Sequence, residues 1–480
     1  MNRVKIVATI GPSTNHSNLL RSLQESGMDV ARVNGSHGDL NWHEKAIALL
    51  RKVVPDIPVL FDIPGRKIRI GRLDRDWVVA PLQQVTLTTE DGVHEQDKVP
   101  VTYCNLHRDL APGDTILVDD TLLRLTVVDI VGRDIRCQAK TAGQFRSGKG
   151  IHIPQVELHN EFLSNRDRQL IDFATHSGVD FIGLSFVGNA SQIGDVRALV
   201  GEKGPQIISK IETQEAIDHL DELVKVSDGL MIDRGDLSME TSIESVALLQ
   251  KQVLSEAQRA DCPVIVATEM LQSMVNRPIP TKAEVNDITC AVLDGASALM
   301  LSEETAAGRF PVEAVSLMRQ VANTASEHLQ ALFDQGKSQD TESVPQAIGD
   351  AISLICRRLK VTKIVAITIS GYAASVIASK MPRQPILAVS NDADAARRFN
   401  LLRGVKGIHV NIPFSRTNMN HIPCCLEALW KRGDLVEKDL VLVTAVSYPK
   451  SGNRMNFIET HRVSDLRESL GWDSAPSFCT

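Results

Sequence analysis

The chain has no CxxC pair, no basic stripe and no apolar stretch long enough to span a bilayer, and each absence removes a class of function. Its cysteines, Cys104, Cys137, Cys262, Cys290, Cys356, Cys424, Cys425 and Cys479, are scattered without metal-ligand spacing. That excludes a zinc ribbon or a disulfide scaffold and fits a reducing cytosol. With a formal net charge of −7 and dispersed lysines and arginines, the chain is not expected to bind nucleic acid generally. A small anionic metabolite stays open as a partner. The apolar stretch of VKIVATI stops at Gly11-Pro12, far short of a signal peptide or membrane span, so a cytoplasmic location away from membranes is expected. What is present is 480 residues at 43% hydrophobic content, enough for about three domains with sizeable cores.

Eight short apolar runs, each ending in a polar or small residue, occur before residue 305: VKIVATI, DVARVN, PVLFDI, DFIGLSF, QIISKIE, GLMIDR, PVIVATE and SALMLSE. Segments of helical periodicity such as NLLRSLQESG, DRQLIDFATHSG and SIESVALLQKQVLSEAQRA separate most of them. Strand and helix repeated eight times predict an α/β fold, a (β/α)8 barrel, over residues 1–71 and 150–333. The rhythm breaks once. Residues 72–149 alternate with period two, as in DTILVDDTLLRLTVVDIVGRDIRCQ, which predicts an inserted β-barrel lid domain. The polar stretch DQGKSQDTESVPQ, residues 334–346, reads as a linker. Beyond it KIVAITISG, QPILAVSND and DLVLVTAVSYP alternate with helical segments, predicting a C-terminal α/β domain over 347–480 that ends in a polar tail.

Barrel enzymes place their chemistry at the C-terminal ends of the strands. Two runs there change abruptly from apolar to charged. IISKIE carries Lys210 and Glu212, and GLMIDRGDLS carries Asp236, so the three are expected at the ends of two neighbouring strands. Two converging carboxylates can hold a divalent cation, and an ammonium beside them can neutralise a phosphoryl group in transfer. The alternatives are a solvated pair of acids and a simple Lys210–Glu212 ion pair.

Taken in order, VKIVATIGPS, DVARVNGSHG, IISKIE, RGDL, VIVATEML, RPIPTKAEVND and AVLDGASALMLSEETAAGRFPVEAV resemble the pyruvate kinase family over nearly the whole chain. The resemblance implies transfer of the phosphoryl group of phosphoenolpyruvate to ADP, giving pyruvate and ATP. By motif, Glu212 and Asp236 would bind Mg2+ or Mn2+, and Lys210 would contact the transferring group and stabilise the enolate. Arg32 and Arg69 would reach phosphate with their planar forks of donors, and Thr268 would lie near the substrate carboxylate and the face that is protonated. Pro12 and His37 would stand beside ADP, with Arg166 where the family often carries lysine. The resemblance also implies a homotetramer. Surface arginines and a capping threonine are the plain alternatives for these positions.

The chain departs from the family at several of these places. The monovalent-cation site would comprise Asn34, Ser36, Asp62 and the carbonyl of Ile63, and K+-requiring members carry glutamate where this chain has Lys67. An ammonium there can supply the charge that K+ otherwise brings, so no K+ requirement is expected. Asp233 replaces alanine, Glu269 glutamine, Glu303 glycine, Gly35 phenylalanine and Gly188 arginine, while Pro64 and Arg66 also differ. In the C-terminal domain TISGYAA keeps Thr368, Ser370 and Gly371 of a phosphate-effector loop, but Ala373 lacks a hydroxyl, and SYPKSGNRMN is unlike the usual second loop. The added acids leave two competing readings open: a relative with a different enolpyruvate-like donor or a different acceptor, and a metabolite-binding regulator without turnover. Turnover of phosphoenolpyruvate and ADP is expected to be the same in Na+ and K+ buffers. A large K+ stimulation in initial-rate assays would rule out the role given to Lys67.

Overall fold

The computed structural model describes residues 3–65, 67–90, 98–118, 123–154, 156, 162–333, 343–414, 419–445 and 455–472. Arg66, residues 334–342 of the expected linker, residues 447–454 of the second C-terminal loop and residues 473–480 of the tail lie outside them. Eight parallel strands close into a barrel in chain order: β1 (Lys5–Ile10), β2 (Val30–Asn34), β3 (Val59–Ile63), β4 (Phe181–Leu184), β5 (Gln206–Ile211), β6 (Gly229–Asp233), β7 (Val264–Ala267) and β8 (Ala298–Leu301). They read as nearly unbroken Val, Ile, Leu and Ala because both faces are buried. One face meets the helices and the other fills the barrel.

The alternation of side chains separates two cores. Ile6, Ala8, Val33, Phe61, Ile182, Ile207, Ile211, Leu230 and Ile232 face outward into the helical layer. Val7, Val30, Leu60, Phe181, Ile208, Met231, Ile265, Ala298 and Met300 face inward and pack with one another. Because the strand period is two, Arg32 shares a face with Val30, Asp62 with Leu60, Lys210 with Ile208, and Asp233 with Met231. Each of these polar residues is the inward-facing position nearer the C-terminal end of its strand. Polar groups therefore cap the apolar barrel core at that end.

The inserted β unit contains a seven-stranded sheet that begins at Ile68–Arg69 and ends at Gly150–His152. An isolated bridge between Ile70 and Val101 joins the two edges of this sheet. In Leu123–Val131 the buried residues Leu123, Leu125 and Val127 alternate with more exposed ones. A short helix, Leu106–Asp109, interrupts its β character; the period-two reading missed this single turn.

The C-terminal domain is a five-stranded sheet, in which β9 (Lys363–Ile367), β10 (Ile386–Ser390), β11 (Val405–His409) and β12 (Leu440–Ala445) are parallel. The edge strand β13 (Phe457–Arg462) runs antiparallel to β12. This domain seals the N-terminal end of the barrel. Leu401 joins the inward-facing core, Lys5 Nζ donates to Val405 O at 2.6 Å, and Arg403 Nη1 donates to Ala296 O at 2.9 Å. Ser379 Oγ and Ser375 Oγ donate to the side chain and carbonyl of Asp261, each at 2.6 Å. Among the described residues no helix is long and apolar enough to cross a membrane.

Leu401→Ala should lower stability by about 2–5 kcal/mol, since it opens a cavity in the floor of the barrel. Val78→Ala, at an exposed lid position, should stay within about 0.5 kcal/mol. Thermal denaturation of the two variants side by side tests the difference.

Candidate active site

The C-terminal layer of the barrel interior gathers Arg32, Asp62, Lys210, Glu212 and Asp233, all buried. Parallel pairing sets them side by side: Lys210 is in register with Met231, Asn34 with Asp62, and Asp62 with Gly183. Lys210 is the hub. Its Nζ lies 2.7 Å from Glu212 Oε1, 3.3 Å from Asp233 Oδ2 and 3.6 Å from Asp62 Oδ2, and donates to Ser185 Oγ at 2.9 Å. Burial works against its charge, but Asp62, Glu212 and Asp233 together outweigh that and raise its pKa, so it stays an ammonium.

Asp62 ties the neighbouring strand into the cluster. Its Oδ2 accepts from Arg32 Nε at 2.9 Å, and Arg32 Nη1 donates to Thr9 Oγ1 at 3.0 Å. Gly183 makes room for this carboxylate, because a Cβ there would approach Asp62 Oδ1 to 3.0 Å. Glu212 follows β5 and is 0% exposed. Its Oε2 accepts from the backbone of Phe186 at 2.6 Å, whereas Oε1, for all its closeness to Lys210, has no hydrogen bond of proper geometry. Burial, opposed by Lys210 and aided by Asp236 and Asp233, pushes the Glu212 carboxyl up to about 8. For Asp233 burial also acts upward, but Lys210, Lys67 and Arg32 overcome it and hold the group below the usual range.

Asp236 corrects one expectation. It does not end a strand but sits in the first turn of a short helix, Arg234–Glu240, that starts directly after β6. The turn still brings it to Glu212. One carboxylate oxygen from each of Glu212, Asp233 and Asp236 lies within 4.8 Å of the others. Hard oxygen donors in such a group suit Mg2+ or Mn2+, and the buried Glu212 Oε1 makes no hydrogen bond of proper geometry within the protein, so the residues present fit a divalent cation.

Lys67 is the second correction. Its ammonium pairs with Asp236 and not with the expected oxygens of Asn34, Ser36, Asp62 and Ile63. Asn34 Oδ1 instead accepts from Ser36 N at 3.0 Å, and Ile63 O accepts from Ser185 Oγ at 2.8 Å. The chain turns sharply after β3, with Gly65 at φ 65°, and Lys67 reaches across the mouth from just ahead of the strand Ile68–Arg69.

Thr268 stands at the end of β7 with φ 68°, followed by Glu269 at φ 54°. A β-branched residue in that region is strained, at a cost of about 1–3 kcal/mol. Hydrogen bonds hold it: Gly235 N donates to Thr268 Oγ1 at 3.0 Å, and Arg234 Nη2 donates to Thr268 O at 2.6 Å. Arg234 also pairs with Asp287 at 2.7 Å, so it is not the partner of Asp233.

Arg69 approaches the site from the seven-stranded sheet of the inserted β unit. Its Nη1 donates to Gly148 O at 2.8 Å, and although burial lowers its pKa, Asp236 lies close enough to raise it in part. The remaining residues form an outer rim. Pro12, His37 and Arg166 are exposed, with Arg166 Nη2 3.4 Å from Gly35 O. Although His37 is open to solvent, partial desolvation by its neighbours and the nearby Arg69 and Arg32 lower its pKa, while Glu303 acts the other way. Glu269 and Glu303 are exposed, and Glu303 accepts from Gln272 Nε2 at 3.1 Å. Of the added acids, Asp233 alone joins the buried cluster.

Ser185 and the amide of Phe186 escaped the sequence reading. The polar end of DFIGLSF was the available signal, but the hydroxyl and amide act only through contacts with β3 and β5. His152 and Glu240, 2.9 Å apart, were also unforeseen; they link the strand Gly150–His152 of the inserted β unit to the helix that carries Asp236.

Residues 1–315 match the family model described as pyruvate kinase, barrel domain, and residues 346–461 the one described as pyruvate kinase, alpha/beta domain. The chain is similar to a pyruvate kinase of Bacillus licheniformis, 35% identical over 97% of this chain and 81% of that protein. It is similar also to pyruvate kinases of Thermotoga maritima, 34% identical over 93% of this chain and 96% of that one, and Thermococcus litoralis, 35% identical over 92% and 94%.

The raised Glu212 carboxyl has a consequence for stability. Its folded-state pKa of about 8 exceeds the unfolded value of 4.5, so its contribution is full at low pH and is lost as pH rises through 8. In metal-free buffer the melting temperature of the wild type relative to Glu212→Gln should therefore fall between pH 5 and pH 8.5, roughly the interval between those two values. A difference that does not change with pH would contradict this.

Proposed function

The chain belongs to the pyruvate kinase family and is a phosphotransferase of the pyruvate kinase type; we propose that its barrel mouth moves the phosphoryl group of phosphoenolpyruvate to ADP with the residues described above. The observation that carries this assignment of roles is the buried Lys210 ammonium, held among carboxylates at the C-terminal end of the barrel with Arg32 beside it. Glu212 and Asp236 would hold Mg2+ or Mn2+, and the cation would supply Lewis-acid charge to the reaction.

The bond from phosphorus to the enol oxygen breaks as a bond to a terminal oxygen of ADP forms, and the enolate left behind takes a proton at carbon to give pyruvate. Charge grows on the leaving oxygen and the equatorial phosphoryl oxygens during that exchange. Lys210 meets both, and its ion pairs hold it in place before substrate arrives, so little reorganisation is needed. Arg32, braced by Asp62 and Thr9, and Arg69, braced by the Gly148 carbonyl, bind phosphoryl oxygens. Thr268 orients the substrate carboxylate and the solvent that delivers the proton. Pro12, His37 and Arg166 on the rim receive ADP.

The β unit of residues 72–149 acts as a lid over the nucleotide, limiting loss of the phosphoryl group to water. Its anchors fit that role. Arg69, Lys67 and His152 all connect the base of this sheet to the site or its helix. The Lys67 ammonium brings its fixed positive charge to Asp236 and not to the oxygens expected to hold K+, so it does not carry the expectation of activity without K+. Family membership supports a homotetramer acting in the cytoplasm.

Initial rates of pyruvate formation from phosphoenolpyruvate and ADP with Mg2+ test the assignment. Robust turnover is expected, and Lys210→Met should lower kcat by about a hundredfold or more while leaving Mn2+ bound. Unchanged turnover in that variant would remove Lys210 from the chemistry, and a folded wild type with no turnover would overturn the substrate assignment.

A further inference from the structure

We propose that Asp233 is a third carboxylate ligand of the divalent-cation site, its charge offsetting the Lys67 ammonium that lies against Asp236. The inference rests on the reading that Glu212 and Asp236 hold the metal, and it adds a residue to that set.

Geometry places Asp233 there. It is the last residue of β6, on the same inward face as Met231, and β6 is paired in register with β5, whose end carries Glu212. Its carboxylate falls within the 4.8 Å group formed with Glu212 and Asp236. The second observation is Glu212 Oε1, which is fully buried and makes no hydrogen bond of proper geometry although Lys210 Nζ lies 2.7 Å away, while Oε2 is already committed to the Phe186 amide.

Charge explains why a third acid is needed. Lys67 neutralises Asp236, and Lys210 lies 2.7 Å from Glu212. With both carboxylates ionised, as metal binding requires, they face two ammonium groups and offer a divalent ion no net negative charge. Asp233 restores one. Its own approach to Lys210, at 3.3 Å, is looser than that of Glu212. Affinity for Mg2+, Mn2+ and similar ions follows the number of ligand charges, so removing this one should be felt directly in binding.

Direct binding of Mn2+ to the metal-free protein in Na+ buffer, without substrate, followed by the electron paramagnetic resonance of free Mn2+, tests the proposal. Asp233→Asn keeps the volume and loses the charge; it should weaken Mn2+ about tenfold or more, as should Asp233→Ala. Lys67→Met should tighten binding, and the double variant Asp233→Ala with Lys67→Met should return towards wild type. Thermal denaturation shows which variants are folded, and Asp233→Asn carries the test if the alanine variant is not. Binding within twofold of wild type in Asp233→Asn, with Glu212→Gln strongly weakened, would overturn the role of Asp233 and leave the metal site standing. Unchanged binding in Glu212→Gln as well would overturn both.

Discussion

A single ammonium group inside the barrel is the constraint on which the site depends. An unpaired charge at the depth of Lys210 would be prohibitive, and the cluster exists in the form needed to make it tolerable: Asp62, Glu212 and Asp233 surround it and Ser185 accepts one of its hydrogens. Each partner has its own support. Asp62 is held by Arg32, Arg32 by Thr9, Ser185 by the carbonyl of Ile63, and Glu212 by the amide of Phe186. Six of the eight strand ends are thus cross-linked through one polar layer.

That layer is confined from both sides. Below it the barrel is apolar, filled by Leu60, Phe181, Ile208 and Met231 and closed at the far end by Leu401 of the C-terminal domain. Above it Lys67, half-buried, reaches Asp236 from the base of the inserted β unit, and Arg69 lies near the same carboxylate. The backbone pays for the arrangement in strain, with Phe186, Thr268 and Glu269 all at positive φ just past the ends of β4 and β7. Such conformations persist where surrounding bonds overdetermine them, and Thr268 is gripped at its hydroxyl by Gly235 and at its carbonyl by Arg234.

The departures from the family pattern separate into two kinds by burial. Glu269 and Glu303 are exposed on the rim, where water screens them and a change of charge costs little. Asp233 and Lys67 lie in the mouth, one adding a negative charge and the other a positive one within reach of the same carboxylates. The two substitutions are electrostatically complementary, which no comparison of single positions along the sequence would reveal.

Much of this was legible from residue order. Unbroken apolar runs alternating with helical periods are enough for an eightfold β/α barrel, because a strand buried on both faces leaves that pattern, and period two puts Arg32, Asp62, Lys210 and Asp233 on one face whatever the tertiary details. The partners were not legible. Whether Lys67 reached Asp62 or Asp236, whether Asp233 paired with Arg234 or Lys210, and whether Asp236 ended a strand or began a helix were decided by the turn after β3, the short helix after β6 and the register between strands far apart in sequence. Side-chain parity is a local property of the backbone, whereas the pairing of charges depends on distances of a few ångströms between segments that only closure of the barrel brings together.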